Sequence, residues 1–203
     1  MIKWIYFDVG STMVDETEAY DHRVRDMIAG RGITFQEFDQ VRITLAGQGF
    51  DGNSEAIKYF KLDKTPWHSE DEIPFSDVQS TLATLCCKGY KLGIIANQNP
   101  GLEKRLENWE LRQYFEVIAA SAEIGYAKPD KEIFEWAIKL AGCTAQESVM
   151  VGDRLDNDII PAKSLGMKTV WVKNGLAKYQ NADLGKDVAD HQISSLSELL
   201  LIF

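Results

Sequence analysis

The sequence predicts an α/β protein: a mostly parallel sheet covered by helices on both faces, with a small helical unit inserted after the first strand. Three observations predict it. Near-continuous apolar runs such as IKWIYFD, KLGIIAN and SVMVGD alternate with helical patterns along most of the chain, as expected of strands buried on both faces. Between Glu16 and about Ile73 the alternation stops and every segment follows a helical period. Asp8, Asn97 and Asp153 stand at the ends of three apolar runs, the edge at which open α/β sheets bind ligands.

The chain opens with IKWIYFD, a strand rich in branched and aromatic residues. EAYDHRVRDMIAG, TFQEFDQVRITLAG and NSEAIKYFKL then read as helices, the first opened by a capping box of Asp15 and Glu18. The chain returns to the sheet near Pro74. This divides it into a core of residues 1–15 and 74–203 and an insertion of residues 16–73. FSDVQSTLATLCCKG is a helix stopped by Gly89, and YKLGIIAN is the strand after it. In PGLEKRLENWEL, Leu102, Leu106 and Trp109 share a helix face, and FEVIAAS is a short strand. DKEIFEWAIKLAG takes Asp130 as N-cap and Gly142 as its end, burying Ile133, Phe134, Ala137 and Ile138. SVMVGD, NDIIPAKSLG and KTVWVKNG follow as strand, helix and strand. HQISSLSELLLIF adds a short edge strand and a last helix.

At 203 residues there is material for one sizeable core with a small insertion. Hydrophobic residues at 45% and charged residues at 26% place the chain among soluble globular proteins. The net charge of −9 argues against a nucleic-acid partner, which wants a basic field. A small phosphorylated ligand stays compatible, because a metal ion and one lysine reverse the local sign. Cys86, Cys87 and Cys143 show no metal-type pairing and are expected to stay reduced, which suits the cytoplasm. The N-terminus lacks the apolar region of a signal peptide, and no run is long enough to span a membrane.

The strand ends carry the polar groups. Asp8 ends the first strand; Ala96 and Asn97 end KLGIIAN; Ser121 and then Lys128 follow FEVIAAS; Gly152 and Asp153 end SVMVGD, with Asp156, Asn157 and Asp158 just beyond. Each has an ordinary use when taken singly: Asp8 in a turn, the 156–158 group as caps for the next helix, Lys128 in a solvated loop. Carboxylates, a lysine and an amide converging on one rim point instead to chemistry.

The segments FDVGST, IIANQ, AKPDKEIFEWA and VGDRLDND resemble the haloacid dehalogenase superfamily of hydrolases. The resemblance covers essentially the whole chain, including a helical cap after the first motif. It implies a Rossmann-like three-layer core, a Mg²⁺ ion and mostly phosphatase activity on a small phosphorylated metabolite through a phospho-aspartyl intermediate. Asp8 would be nucleophile and metal ligand, Asp153 the second carboxylate ligand, and the Gly10 carbonyl a backbone ligand. Asp158 would support the metal or orient Lys128. Lys128 would offset repulsion between Asp8 and the incoming phosphate, and Thr12 would order the loop. Ser11, Asn97 and Lys128 are the expected substrate contacts. Oxygen ligands shared with a substrate phosphate are what Mg²⁺ prefers. The chain is expected to act as a monomer or homodimer.

Two positions depart from the resemblance. Phosphatases of the superfamily usually carry a second aspartate, two residues after the nucleophile, as acid and base; here that place holds Gly10. A positioned acid contributes on the order of 10²–10⁴-fold. Where a serine or threonine commonly donates to the phosphate, this chain has Ala96. The first reading is therefore a phosphatase with weak or narrow activity. A dehalogenase or phosphonatase-like hydrolase, the latter using a lysine such as Lys58, Lys61 or Lys64, is the alternative, followed by a catalytically silent binding protein. In the cap, Phe35, Phe38, Phe50, Tyr59, Phe60 and Trp67 read mostly as its own core, and AGQGFDGNS as a loop facing substrate. His22 and His68 read as isolated residues.

Overall fold

The computed structural model describes residues 1–181, 183 and 188–203. Strand β1 (Trp4–Phe7) shows why the sheet forms: all four residues are buried. Trp4 and Tyr6 join one hydrophobic cluster while Ile5 and Phe7 join another, so the two-residue strand period feeds both faces. A run with no polar face belongs at the centre of a sheet covered on both sides.

The other strands are β2 (Val14–Asp15), β3 (Ile73–Pro74), β4 (Lys91–Ala96), β5 (Phe115–Ala120), β6 (Ser148–Gly152), β7 (Lys168–Val172) and β8 (His191–Ile193). The helices are α1 (Thr17–Ile28), α2 (Phe35–Gly47), α3 (Gly52–Tyr59), α4 (Val78–Cys87), α5 (Leu102–Asn108), α6 (Ser121–Ile124), α7 (Lys131–Ala141) and α8 (Ile160–Ser164). Six strands form one sheet in the order β5-β4-β1-β6-β7-β8, and every neighbouring pair is parallel. The chain steps outward from β1 to β4 and β5, then returns to lay β6 on β1's other side. The direction of winding therefore reverses between β1 and β6, the point at which such sheets open a crevice for ligands. This is the three-layer α/β architecture the sequence predicts.

Helices α1, α2 and α3 gather around a cluster of their own, built on Val24, Met27, Ile28, Phe38, Ala56 and Leu62. The antiparallel pair β2–β3 brings the two ends of this helical segment side by side. A capping box opens α2: the Thr34 hydroxyl accepts the Glu37 N–H at 3.2 Å, and the Glu37 carboxylate accepts the Thr34 N–H at 2.8 Å. Such a cap contributes about 1 kcal/mol.

Several local expectations are corrected. Asp15 and Glu18 form no capping box: Asp15 Oδ1 accepts the Thr17 N–H at 2.9 Å, two residues on, and Glu18 pairs with Arg25. Asp130 stands at the N-cap of α7 without a side-chain bond to it. NDIIPAKSLG is not one helix but a π-turn over Leu155–Ile159 running into the short α8. The last helix is a 3₁₀ segment, Leu196–Leu201. No helix among the described residues is long and apolar enough to cross a membrane.

Candidate active site

Asp8 follows β1 directly, and its N–H donates to the Val151 carbonyl at 2.9 Å, which sets it level with the end of β6. Lys128, in the loop between α6 and α7, reaches back beneath it. Its Nζ donates to Asp8 Oδ1 at 2.7 Å and to Asp158 Oδ1 at 2.6 Å. The Lys128 side chain is 2% exposed and that of Asp158 is fully buried. Burial alone would lower the Lys128 ammonium, but Asp158 and Asp8 outweigh it and hold it above its ordinary value. Burial pushes Asp158 up to about 6, with Lys128 pulling the other way. Gly152, at the end of β6, makes room for this arrangement, since a Cβ there would overlap the Asp158 side chain.

Asp153 completes a three-carboxylate group. Oxygens of Asp8, Asp153 and Asp158 lie within 4.8 Å of one another. Burial first, then Asp158, Asp8 and Glu16, push the Asp153 carboxyl well above its usual range. The buried Trp171 donates its indole N–H to the Asp153 carbonyl at 2.8 Å and so fixes the backbone beneath the side chain. This donor set fits a hard divalent cation: oxygens only, more negative charge than one lysine offsets, and a half-buried site.

The remaining expected residues fall into place unequally. Asn97 lines the same cavity, yet its side chain is turned onto the Lys128 backbone. Its Nδ2 donates to the Lys128 carbonyl at 2.8 Å and its Oδ1 accepts the Lys128 N–H at 2.7 Å. It thus clamps the lysine loop and keeps one N–H for a ligand. Ser11 also lines the cavity, at φ 53°, with its N–H committed to the Val14 carbonyl at 2.8 Å. Thr12 is fully buried behind the loop; its hydroxyl has no hydrogen-bond partner among the described residues, while its N–H donates to the Val9 carbonyl at 3.3 Å.

A cavity of about 400 Å³ opens above these groups, a size suited to a small ligand. Seven carboxylates line it (Asp8, Glu16, Asp21, Asp39, Asp51, Asp153 and Asp156) against the four cations Arg42, Lys128, Arg154 and Lys178. Glu16, directly before α1, turns its carboxyl into the space beside Gly10, where a Cβ would overlap both carboxyl oxygens. Burial, then the charges of Asp8 and Glu72, push Glu16 up to about 8. Arg154 pairs with Asp156 at 2.6 Å and with Asp51 at 2.9 Å, joining the sheet's rim to the first residue of the α3 cap. From the helical segment, Phe35 and Phe50 reach the cavity with Asp51, Gly52 and Asn53. Phe38 and Phe60 stack within the segment's own core, Tyr59 is exposed, and Trp67 packs edge-on against Tyr20. Lys58, Lys61 and Lys64 are exposed and outside the cavity lining. His22 and His68 are not isolated: their rings stack at 3.6 Å, with His22 bonded to Asp71 and His68 to Asp26 and Glu70.

Residues 5–172 match the haloacid dehalogenase-like hydrolase family. The chain belongs to that family. This haloacid dehalogenase-like hydrolase is 32% identical to the glyceraldehyde 3-phosphate phosphatase of Methanocaldococcus jannaschii, over 98% of this chain and 96% of that one. It is equally similar, at 32%, to the glyceraldehyde 3-phosphate phosphatase of Pyrococcus furiosus, over 98% and 92% of the two chains. The crystal structure of a HAD phosphatase from Thermococcus onnurineus superposes with a TM-score of 0.68 at 28% identity, covering 100% of this chain and 97% of that one. In the hydrolase described here, sequence reasoning placed Asp8, Gly10, Asn97, Lys128, Asp153 and Asp158 on one rim, and the fold brings them together. It missed Glu16, Trp171 and the Arg154–Asp51 pair. Only the glycine at position 10, which leaves room beside Asp8, was a signal for the first of these.

Proposed function

We propose that this hydrolase is a Mg²⁺-dependent phosphatase of the cytoplasm, acting on a small phosphorylated metabolite through a phospho-aspartyl intermediate at Asp8. The observation that carries the reading is the position of Asp8: hydrogen-bonded to the buried Lys128, within 4.8 Å of Asp153 and Asp158 oxygens, and open to the cavity. A carboxylate attacks phosphorus only when the phosphoryl group is held in line and its charge is offset. Lys128 supplies one fixed positive charge at the attacking oxygen. Asp8, Asp153 and the Gly10 carbonyl would hold the Mg²⁺, with Asp158 behind them. When bound, the ion supplies the further positive charge that lets a phosphate dianion enter so acidic a cavity. The names of the two archaeal relatives favour a three-carbon phosphate ester such as glyceraldehyde 3-phosphate.

The test is hydrolysis of glyceraldehyde 3-phosphate, p-nitrophenyl phosphate and acetyl phosphate, with Mg²⁺ or with EDTA, by wild type and Asp8→Asn. Turnover by wild type that requires Mg²⁺ and is abolished in Asp8→Asn is the expected result. Turnover that survives Asp8→Asn would remove Asp8 as nucleophile, and its absence on all three esters would remove the phosphatase reading.

A further inference from the structure

An alkyl phosphate releases an alkoxide unless a proton reaches the leaving oxygen as the P–O bond breaks. The cavity restricts which group can deliver it. Lys128 is held by Asp8 and Asp158. Asp21 and Asp39 are paired with Arg42, and Asp51 and Asp156 with Arg154. Glu16 is different. Its carboxyl oxygens have no hydrogen-bond or ion-pair partner among the described residues, and they face the cavity that Asp8 faces. They also occupy the volume that any side chain at position 10 would enter. Gly10 is two residues from the nucleophile and Glu16 is eight, yet the loop between Val9 and Val14 folds back on itself through three N–H groups donating to the Val9 carbonyl. That fold carries Glu16 to the vacancy.

We propose that Glu16 is the catalytic acid and base of this enzyme, its carboxyl standing in the space that Gly10 leaves open. The inference rests on the phosphatase reading above. In the first half-reaction an Asp8 oxygen forms a bond to phosphorus, the P–O bond to the alcohol breaks, and its electron pair stays on the leaving oxygen. The Glu16 carboxyl gives its proton to that oxygen, so an alcohol departs and Glu16 is left as a carboxylate. In the second, water attacks the phosphorus of the phospho-aspartate while Glu16 takes the water's proton. The bond between phosphorus and Asp8 breaks, and inorganic phosphate leaves with both side chains restored.

The test compares the first turnover with the steady state in Glu16→Gln. With p-nitrophenyl phosphate, whose leaving group departs without a proton, the variant should give a rapid burst of one p-nitrophenol per active site. It should then stall, with steady-state kcat reduced on the order of 10²-fold or more. With glyceraldehyde 3-phosphate the first turnover itself should slow by a similar factor. The exchange Gly10→Asp with Glu16→Ala should recover alkyl-ester turnover relative to Glu16→Ala alone, because removing Glu16 clears the room a side chain at position 10 needs. Mg²⁺ affinity, read by calorimetry, should be the same in wild type and Glu16→Gln. Equal slowing of both first turnovers would make Glu16 a positioning residue and overturn the proposal. So would an unchanged steady state, or a loss of Mg²⁺ affinity, which would mark Glu16 as a metal ligand. Failure of Asp8→Asn to abolish turnover in the same assays would instead overturn the phosphatase reading beneath it.

Discussion

Glu16 and Gly10 illustrate a trade between stability and chemistry at single residues. A half-buried carboxyl beside Asp8 and Glu72 has its pKa raised to about 8. A carboxyl raised above its unfolded value near 4.5 binds its proton more tightly in the folded state. Its ionisation therefore destabilises the fold progressively as pH rises between those two values. Glu16→Gln cannot ionise, so urea unfolding in EDTA should find it more stable than wild type at pH 9, with the difference vanishing near pH 5. A wild type that gains stability on Glu16 over that range would show the carboxyl to be better solvated than its surroundings suggest. The same logic explains what sequence could show of the site. Asp8 and Asp153 were legible because each directly follows a buried strand, and Lys128 and Asp158 because the segments that hold them, AKPDKEIFEWA and VGDRLDND, carry the family resemblance. Glu16 was not, because its closeness to Gly10 depends on the Val9–Val14 hydrogen bonds, which leave no periodic trace. The lysine clamp by Asn97 was equally hidden: both partners were seen, but not that the amide would turn to the Lys128 backbone.

Among the elements, those with a continuous apolar run were legible, since β1, β4 and β6 have no polar face to confuse the period. The misses are short or local. Strands β2 and β3 have two residues each, too few to show an alternation. The start of α1 looked like a capping box until Asp15 proved to serve Thr17 and Glu18 to serve Arg25. The histidines were missed because α1 and the turn before β3 lie far apart in sequence. There His22 of α1 stacks on His68. Hydrogen bonds that the His68 ring donates to Asp26 and then to Glu70 raise His68 above its ordinary 6.5. A histidine raised in this way contributes stability that is present below pH 6.5 and is lost as pH climbs through the folded value. His68→Gln should therefore lower Tm relative to wild type at pH 6 and leave it nearly unchanged at pH 9, read by thermal unfolding at both. A deficit that is equal at the two pH values would mean the ring acts by packing alone.

On the scale of the whole molecule, the helical segment between β2 and β3 overhangs the strand ends, and we read it as a cap that closes on the substrate. It is tied to the rim by charge: Arg154, just past β6, pairs with Asp51, which also caps α3 by accepting the Ser54 N–H at 3.1 Å. Burial works to raise the Asp51 carboxyl, but Arg154 and the Ser54 bonds outweigh it and hold it below its ordinary value. The two side chains are 35% and 27% exposed, so the pair is worth at most about 1 kcal/mol. That is little for folding but about fivefold in an equilibrium between open and closed arrangements. Asp51→Asn separates the two roles, because asparagine caps a helix as well as aspartate does and carries no charge for Arg154. Global stability should change by less than about 1 kcal/mol, while KM for a phosphate ester rises up to about fivefold with a smaller change in kcat. Because the pair is partly exposed, raising salt should raise the KM of wild type more than that of Asp51→Asn, whose remaining salt dependence reports the charge of the substrate itself. A KM that ignores both the substitution and the salt would mean that the cap's position over the cavity owes nothing to this pair.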